Sequence, residues 1–344
     1  MFPFTVYGSL VRGNTDPIRL PTIFSLVFGV TVIPWDPFVS VEPSPFNIRF
    51  LFALCSPRLA PGLIATWLAQ SCRPWFLDQW IGGPDVLRTL LMPSVNAIFF
   101  NGDKVQGTGN SVIERLSDSR NISELLVSKL GCSANVWVVE ASTFNGPFAV
   151  YKEFIPSLTT RGDPKRYDPN GFPASSAIVA ILSRCFEQVP SLTSSNLVEQ
   201  TKGNVDAPTL LPTPSPKTII LGFSKGGTVV NQLVTELAHL KASPQIFDRS
   251  AGAYLTDRTV IKKVAELLLV HNASIRFVLH GTPRQWFDHH RPWIRKEKDI
   301  MLQLLKDEAH RCEGRLQATE KIYFANSLPS LQMHFEIIQV MDLS

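Results

Sequence analysis

The sequence predicts an α/β fold in which a mostly parallel sheet carries helices on both of its faces. From residue 94 onward, short apolar runs rich in β-branched residues alternate with longer segments whose apolar residues recur every three or four positions. One such run leads through Gly222-Phe223-Ser224-Lys225-Gly226 directly into a helical pattern. Strands that alternate with helices form parallel sheets with both faces covered. No internal repeat suggests another architecture.

The composition sets broad limits on the class of protein. The chain has 344 residues and 44% hydrophobic content, enough for one large domain or two modest ones. Its net charge of +4 is small, and no basic run indicates a nucleic-acid partner. The five cysteines are scattered and odd in number, without a Cys-x-x-Cys pair. This usage argues against a disulfide framework or a structural zinc site and favours a reducing compartment.

The first quarter of the chain differs in composition from the rest. Residues 1–93 hold 12 of the 26 prolines and four of the seven tryptophans, and no lysine precedes Lys104. The apolar stretch 23–33 is too short to span a bilayer, and prolines interrupt residues 50–72, so no transmembrane segment is predicted. The N-terminus lacks the basic residues of a secretory signal, and its prolines disfavour a mitochondrial presequence. We expect residues 1–92 to be an atypical, largely unstructured extension with few contacts to a domain formed by 93–344.

The elements of this domain follow from the apolar pattern in chain order. Residues 191–216, rich in Ser, Thr and Pro, predict a loop. Within residues 241–259, Ile246-Phe247 is a poor candidate for a strand. The predicted strands are 95–100, 135–139, 218–221, 275–279 and 321–324, and the predicted helices are 111–130, 177–186, the segment after Gly226, 260–270 and 293–310.

The pentapeptide centred on Ser224 has the layout of a nucleophile elbow: strand, Gly-x-Ser-x-Gly, helix. The serine has to lie on a tight, strained turn, and glycine two positions to either side avoids crowding there. The helix that follows directs its first N–H groups toward the place where an oxyanion would form. The layout predicts an α/β-hydrolase-like fold. A glycine-rich strand-to-helix turn with an idle serine is the alternative.

Two later residues complete the order of a catalytic triad. Asp288 follows the strand 275–279 and His334 follows the last strand, which gives the order Ser224, Asp288, His334 of α/β hydrolases. Ligands of such sheets bind beyond the carboxyl ends of the strands, where these residues are expected. In that mechanism His334 takes the proton of Ser224, and Asp288 orients the imidazole. The backbone N–H of Lys225 and one from Gly102-Asp103 are the predicted oxyanion donors.

Each assignment has a structural alternative. Asp288 could be an ion-pair carboxylate, with Asp248 and Asp257 as competing acids, and His334 could be a half-buried structural histidine. Gly102-Asp103 could be only a turn, and Lys225 could be a solvated lysine or attract an acidic substrate. His289-His290 lacks a partner carboxylate at ligand spacing, so we predict no metal site and no cofactor.

Several motifs taken together resemble one family. The motif Gly-Phe-Ser-Lys-Gly followed by Asn231-Gln232-Leu233 is unusual among hydrolases. Over roughly residues 93–340 the chain is similar to the eukaryotic family of the human protein named "chromosome 2 open reading frame 69". The segments that carry the resemblance are 97–103, 136–139, 221–226, 231–233, 282–283, 293–297 and 334–335.

The resemblance implies an α/β-hydrolase-like protein of the serine esterase type, linked to mitochondria. It implies that Ser224 is the elbow serine, that Asp288 is the acid and that His334 is the late histidine of the family. The sequence departs from the family in the shortened segment 241–259 and in residues 1–92, which match nothing in it.

The sequence is compatible with two functions. The first is a serine hydrolase, an esterase or thioesterase, that acts on a small acyl or lipid-like substrate. The alternative is a non-catalytic α/β-hydrolase-fold protein that binds a lipid-like ligand or a protein partner. The complete Ser, Asp, His order favours the first, and the shortened segment 241–259 favours the second. The expected location is intracellular, mitochondrial or cytosolic.

Overall fold

The computed structural model describes residues 94–131, 133–187, 217–240 and 252–343, together with the backbone of two short strands before residue 94. The predicted loop 191–216, the weak strand Ile246-Phe247, and Asp248 lie outside the described residues. The described strands are β1 (Arg49–Ala53), β2 (Ile64–Leu68), β3 (Val95–Phe100), β4 (Ala134–Val139), β5 (Thr143–Asn145), β6 (Phe148–Val150), β7 (Lys217–Gly222), β8 (Ile275–Gly281) and β9 (Leu316–Ile322). The described helices are α1 (Ser111–Ser117), α2 (Ser119–Leu130), α3 (Pro173–Glu187), α4 (Gly226–His239), α5 (Arg258–His271), α6 (Pro283–Trp286), α7 (Pro292–Arg311) and α8 (Leu331–Val340).

The fold is mixed α/β with parallel strand pairs. The five-stranded sheet has the order β2-β1-β4-β3-β7, in which β3 runs parallel to both β4 and β7. A second, two-stranded sheet consists of the parallel pair β8 and β9. Among the described residues the two sheets share no hydrogen-bonded strand pair, and residues 241–251, which separate α4 from Gly252, lie outside that part of the chain.

Part of the predicted N-terminal extension joins the sheet. β1 pairs antiparallel with β4 from Phe50 to Ala53, and it pairs antiparallel with β2 on its other side. This differs from the expectation that residues 1–92 make few contacts with the domain. β4 is buried at all six positions, and without β1 it would present a row of unpaired backbone groups. Five-residue strands among many prolines give too weak a pattern to be recognised in the sequence.

The helix predicted over 111–130 is two helices. Asp118 adopts an extended backbone with φ −86° and ψ 123°, which ends α1. Its carboxylate accepts a hydrogen bond from Asn121 N at 3.0 Å and so caps the start of α2. β9 begins at Leu316 instead of residue 321. The hairpin β5–β6 and helix α8 have no counterpart in the sequence prediction.

The helix that follows the elbow is the centre of the core. Every residue of α4 from Gly226 to Ala238 is buried, and α4 packs against β3, β7, α3 and α5. Asn231 Nδ2 donates to Ala253 O at 3.0 Å, and Gln232 Nε2 donates to Asp168 O at 2.7 Å. The motif Asn231-Gln232-Leu233 therefore ties two neighbouring loops to the elbow helix.

In the part of the chain that the structure describes, no helix combines the length and apolar character that crossing a bilayer requires.

Candidate functional site

The site lies where the order of the main sheet reverses. The chain passes from β3 to β4 on one side of β3 and later returns to β7 on the other side. In open α/β sheets, ligands bind in the crevice beyond the carboxyl ends of the strands at such a point. Gly102 follows β3 and Ser224 follows β7, so both lie at this crevice.

Ser224 has the strained geometry of an elbow residue. Its φ of +52° lies in the left-handed region, which non-glycine residues adopt at a cost of roughly 1–3 kcal/mol. A Cβ on Gly222 would lie 2.6 Å from Gly226 O, and a Cβ on Gly226 would lie 2.0 Å from Phe100 O. Both glycines of the pentapeptide are therefore required by sterics. The turn holds Ser224 partly exposed at the end of the sheet.

Gly102 lies directly against Ser224, as expected for a residue of the same crevice. A Cβ on Gly102 would be 2.6 Å from Ser224 Cβ, so a side chain here would displace the serine. The Gly102 N–H is already used, because it donates to Asn101 Oδ1 at 2.8 Å. Within the described residues, the N–H groups of Asp103 and Lys225 make no hydrogen bond. Of the predicted oxyanion donors, these two are not used within the described residues.

The side chains of Asp103 and Lys225 have structural partners. Asp103 Oδ1 accepts a hydrogen bond from Ala149 N at 2.8 Å, and burial raises the pKa of this carboxyl despite that bond. The Lys225 ammonium pairs with Asp163 and is only 15% exposed. The cation next to the elbow is therefore paired and not freely solvated.

The structure brings His334 to the elbow. His334 lies in the first turn of α8, which packs on α1 and α6. Its ring centroid is 4.7 Å from that of Phe223, the residue before Ser224. The side chain is half-buried, and among the described residues it makes no hydrogen bond to Ser224. His334 therefore reaches the elbow through its contact with the Phe223 ring, to which it is tilted by 31°.

Gln285, which was not among the predicted site residues, is the hydrogen-bond partner of His334. The Gln285 Nε2 is 2.8 Å from His334 Nδ1. The Gln285 Oε1 accepts from the backbone N–H of Thr282 at 3.0 Å. A backbone N–H can only donate, so this bond fixes which end of the amide faces the histidine. The amide NH₂ donates to Nδ1, and the neutral ring carries its hydrogen on Nε2.

The surroundings keep His334 neutral. Burial first, and then the nearby cations Arg291 and Arg284, lower the pKa of His334 to about 3. Protonation of Nδ1 would also remove the hydrogen bond that this nitrogen accepts from the amide, so that bond favours the neutral ring.

Asp288 lies in an ion-pair cluster away from the histidine nitrogen. Its Oδ2 accepts from Arg284 at 2.5 Å and from Arg291 Nε at 2.9 Å, and its Oδ1 accepts from His290 N at 2.9 Å. The His290 bond first, and then Arg291, lower the pKa of Asp288 to about 2. The structure does not place Asp288 against His334. The competing acid Asp257 accepts hydrogen bonds from Thr259 N and Val260 N at the start of α5.

The sequence contains a pattern from which the position of Gln285 could have been predicted. Thr282-Pro283-Arg284-Gln285 has the Ser/Thr-x-x-Glu/Gln spacing of a helix capping box, with proline at the first helical position. That pattern predicts a glutamine that turns back toward the strand end. The triad order predicts Asp288 as the partner of His334 instead, because a carboxylate is the usual partner of a catalytic histidine.

The fold and the site define a mixed α/β protein with a strained serine at the reversal point of its main sheet. Comparison with known sequences shows which family this chain is similar to. The family model described as C2orf69 matches residues 184–310, a range that contains Ser224, Gln285 and Asp288. The resemblance to the family of the chromosome 2 open reading frame 69 protein is thereby confirmed. No solved structure gives a significant match.

Three curated relatives show the extent of the likeness. The "Mitochondrial protein C2orf69 homolog" of Danio rerio is 27% identical over 226 residues, 61% of this chain and 60% of that protein. The homolog of Mus musculus is 30% identical over 163 residues, 41% of each chain. The "Mitochondrial protein C2orf69" of Homo sapiens is 31% identical over 138 residues, 35% of this chain and 32% of that one. The matches span from about a third to three fifths of each relative's length.

Proposed function

We propose that this protein is a serine hydrolase, an esterase or thioesterase that acts on a small acyl or lipid-like substrate with Ser224 as its nucleophile. The observation that supports this proposal is the strained backbone of Ser224 between two glycines that no other residue could replace. Strain of this kind persists where the surrounding structure enforces it, and it is concentrated at functional sites. The names of the relatives support a mitochondrial location.

In the proposed reaction, the Ser224 hydroxyl oxygen attacks the acyl carbon, and its proton passes to Nε2 of His334 once the ring has adopted the tautomer with its hydrogen on Nδ1. The backbone N–H groups of Lys225 and Asp103 receive the oxyanion that forms on the carbonyl oxygen. The imidazolium then protonates the departing alcohol or thiol, which leaves an acyl ester on Ser224. A water molecule attacks that ester, and the acid and the free serine are regenerated.

A second candidate function is non-catalytic binding of an acyl or lipid-like ligand at the same crevice. The observation that favours it is the amide of Gln285 on His334 Nδ1, 2.8 Å away, in the place where hydrolases have a carboxylate. An amide that donates to Nδ1 leaves the hydrogen on Nε2, and that nitrogen then cannot accept the proton of a serine.

Covalent labelling separates the two functions. The purified full chain is treated with a fluorophosphonate probe, and the adduct is mapped by peptide mass spectrometry. We expect one adduct at Ser224, none in Ser224→Ala, and unchanged labelling in Ser128→Ala, which removes an exposed serine of α2. Folded protein that stays unlabelled while a known serine hydrolase in the same tube reacts would refute the hydrolase and leave the binding function.

A further inference from the structure

The short helix that carries Gln285 has little freedom to move. Gln285 is 4% exposed, and its neighbour Trp286 is equally buried. A Cβ on Gly281 would lie 2.1 Å from the Trp286 ring, so the indole packs directly on the end of β8. The Trp286 indole N–H donates to Tyr254 OH at 2.7 Å. The backbone around Gln285 is thus fixed from both sides.

The orientation of the Gln285 amide follows from this fixed backbone. Its oxygen accepts from Thr282 N at 3.0 Å and from Thr282 Oγ1 at 3.3 Å. Rotating the amide by 180° would point its NH₂ group at the buried Thr282 N–H and leave two donors facing each other. The orientation that donates to His334 Nδ1 is therefore the only one that satisfies both neighbours.

From this geometry we infer that Gln285 is a positioning residue that holds His334 in the tautomer with hydrogen on Nε2 and so keeps Ser224 slow to react. The inference rests on the proposed function and adds the regulation of its site. For His334 to act as a base, the hydrogen has to lie on Nδ1, where it would oppose the amide NH₂. Replacing the triad aspartate of trypsin by an amide lowers turnover by about 10⁴-fold through this same tautomer change.

A single change at position 285 reverses the preference. Gln285→Glu keeps the size of the side chain and the oxygen that accepts from Thr282 N–H. Its second oxygen can accept only, so it stabilises hydrogen on Nδ1 of His334 and leaves Nε2 as a base. The nearby Arg284 and Arg291 favour the added negative charge. Gln317→Glu adds the same charge at an exposed position of β9 and serves as the matched control.

The test reads the tautomer and the reactivity separately. Nitrogen-15 spectra of histidine-labelled full chain, with His334 assigned by its loss in His334→Gln, show which ring nitrogen carries hydrogen. We expect Nε2–H in the wild type and in Gln317→Glu, and Nδ1–H in Gln285→Glu. The fluorophosphonate rate constant at Ser224 should rise at least roughly tenfold in Gln285→Glu and remain unchanged in the control.

The outcomes that overturn the inference differ from those that overturn the hydrolase. Nδ1–H in the wild type would refute the positioning role, as would labelling that is no faster in Gln285→Glu than in the wild type while Ser224 reacts in both. The expected change of tautomer without labelling in either protein would support the positioning role and refute the proposed hydrolase. If Gln285→Glu does not fold, the wild-type spectrum alone decides on the tautomer, and Gln285→Met, which removes the donor, should populate both tautomers.

Discussion

At the scale of single residues, the strain at Ser224 is the main support for the proposed site. The φ of +52° is combined with Gly222 and Gly226, at which any added Cβ would meet backbone atoms. A strand-to-helix turn without a function would relieve that strain by carrying glycine at position 224, since glycine adopts this conformation without steric cost. The serine therefore lowers the stability of the fold relative to glycine, and it places a hydroxyl at the crevice.

The strain predicts that glycine at position 224 is more stable than alanine. Ser224→Gly should raise the free energy of unfolding by about 1 kcal/mol relative to Ser224→Ala, because glycine tolerates positive φ. The control is the same pair of substitutions at Ser128 in α2, where glycine should be less stable than alanine by about 1 kcal/mol. Urea denaturation measures both differences. Equal stability of Ser224→Gly and Ser224→Ala would show that position 224 is not strained.

At the scale of elements, a buried carboxylate joins the elbow helix to its neighbour. Glu236 on α4 accepts hydrogen bonds from Ala174 N and Ser175 N, each at 2.8 Å, and from Ser175 Oγ at 2.6 Å. These donors belong to the first turn of α3, whose N–H groups have no partner within the helix. Gln232 Nε2 donates to the same carboxylate at 2.8 Å. The position of α4, and with it the elbow, depends on this cluster.

Loss of one acceptor from that cluster should be costly. In Glu236→Gln, an amide NH₂ faces N–H donors that have lost their acceptor, and the free energy of unfolding should fall by about 2 kcal/mol. Glu266→Gln on the exposed face of α5 removes a carboxylate that makes only surface ion pairs, and the loss there should stay below about 0.5 kcal/mol. Chemical denaturation of the two variants in parallel makes the comparison. Similar small losses at both positions would mean that the buried cluster does not hold α3 and α4 together.

The sequence predicted the elements that carry a strong local pattern. The parallel neighbours β3, β4 and β7 and the elbow between β7 and α4 were recognisable from apolar runs and from the spacing of two glycines. The break at Asp118 was not recognised, because apolar residues continue in helical register on both sides of it. The partner of His334 could not be assigned from chain order alone. Gln285 and Asp288 both follow β8, and only the structure shows that Gln285 faces the ring, with its Nε2 2.8 Å from His334 Nδ1.

At the scale of the whole molecule, buried histidines link stability to pH. His280 at the end of β8 is fully buried, and its Nδ1 lies 2.8 Å from Tyr323 OH. Burial, followed by the nearby Lys321, lowers the pKa of His280 to about 3. The unfolded chain, with an ordinary histidine pKa, binds more protons than the folded chain between these two values. Stability should therefore fall as the pH decreases below about 6.5.

The pH dependence has a defined size and a specific control. Between pH 6 and pH 5, His280 should lower the free energy of unfolding by about 1.4 kcal/mol per pH unit, and His334 should add a smaller amount because it is half-buried. In His280→Gln the dependence should be visibly weaker, whereas in His271→Gln, at an exposed position of α5, it should match the wild type. Urea denaturation at a series of pH values gives the slopes. A wild-type slope that His280→Gln leaves unchanged would contradict the assignment of this dependence to His280.

The central claim is that Ser224 is a nucleophile at the crevice between β3 and β7. The most direct measurement is the mass of the intact protein, and of its Ser224 peptide, after incubation with an activated short-chain p-nitrophenyl ester and quenching in acid. Because Gln285 keeps His334 a weak base, removal of the acyl group should be slow. We expect one acyl group per chain, located on Ser224 and absent from Ser224→Ala. An unmodified Ser224 peptide in folded protein, or the same extent of acylation in Ser224→Ala, would contradict the claim.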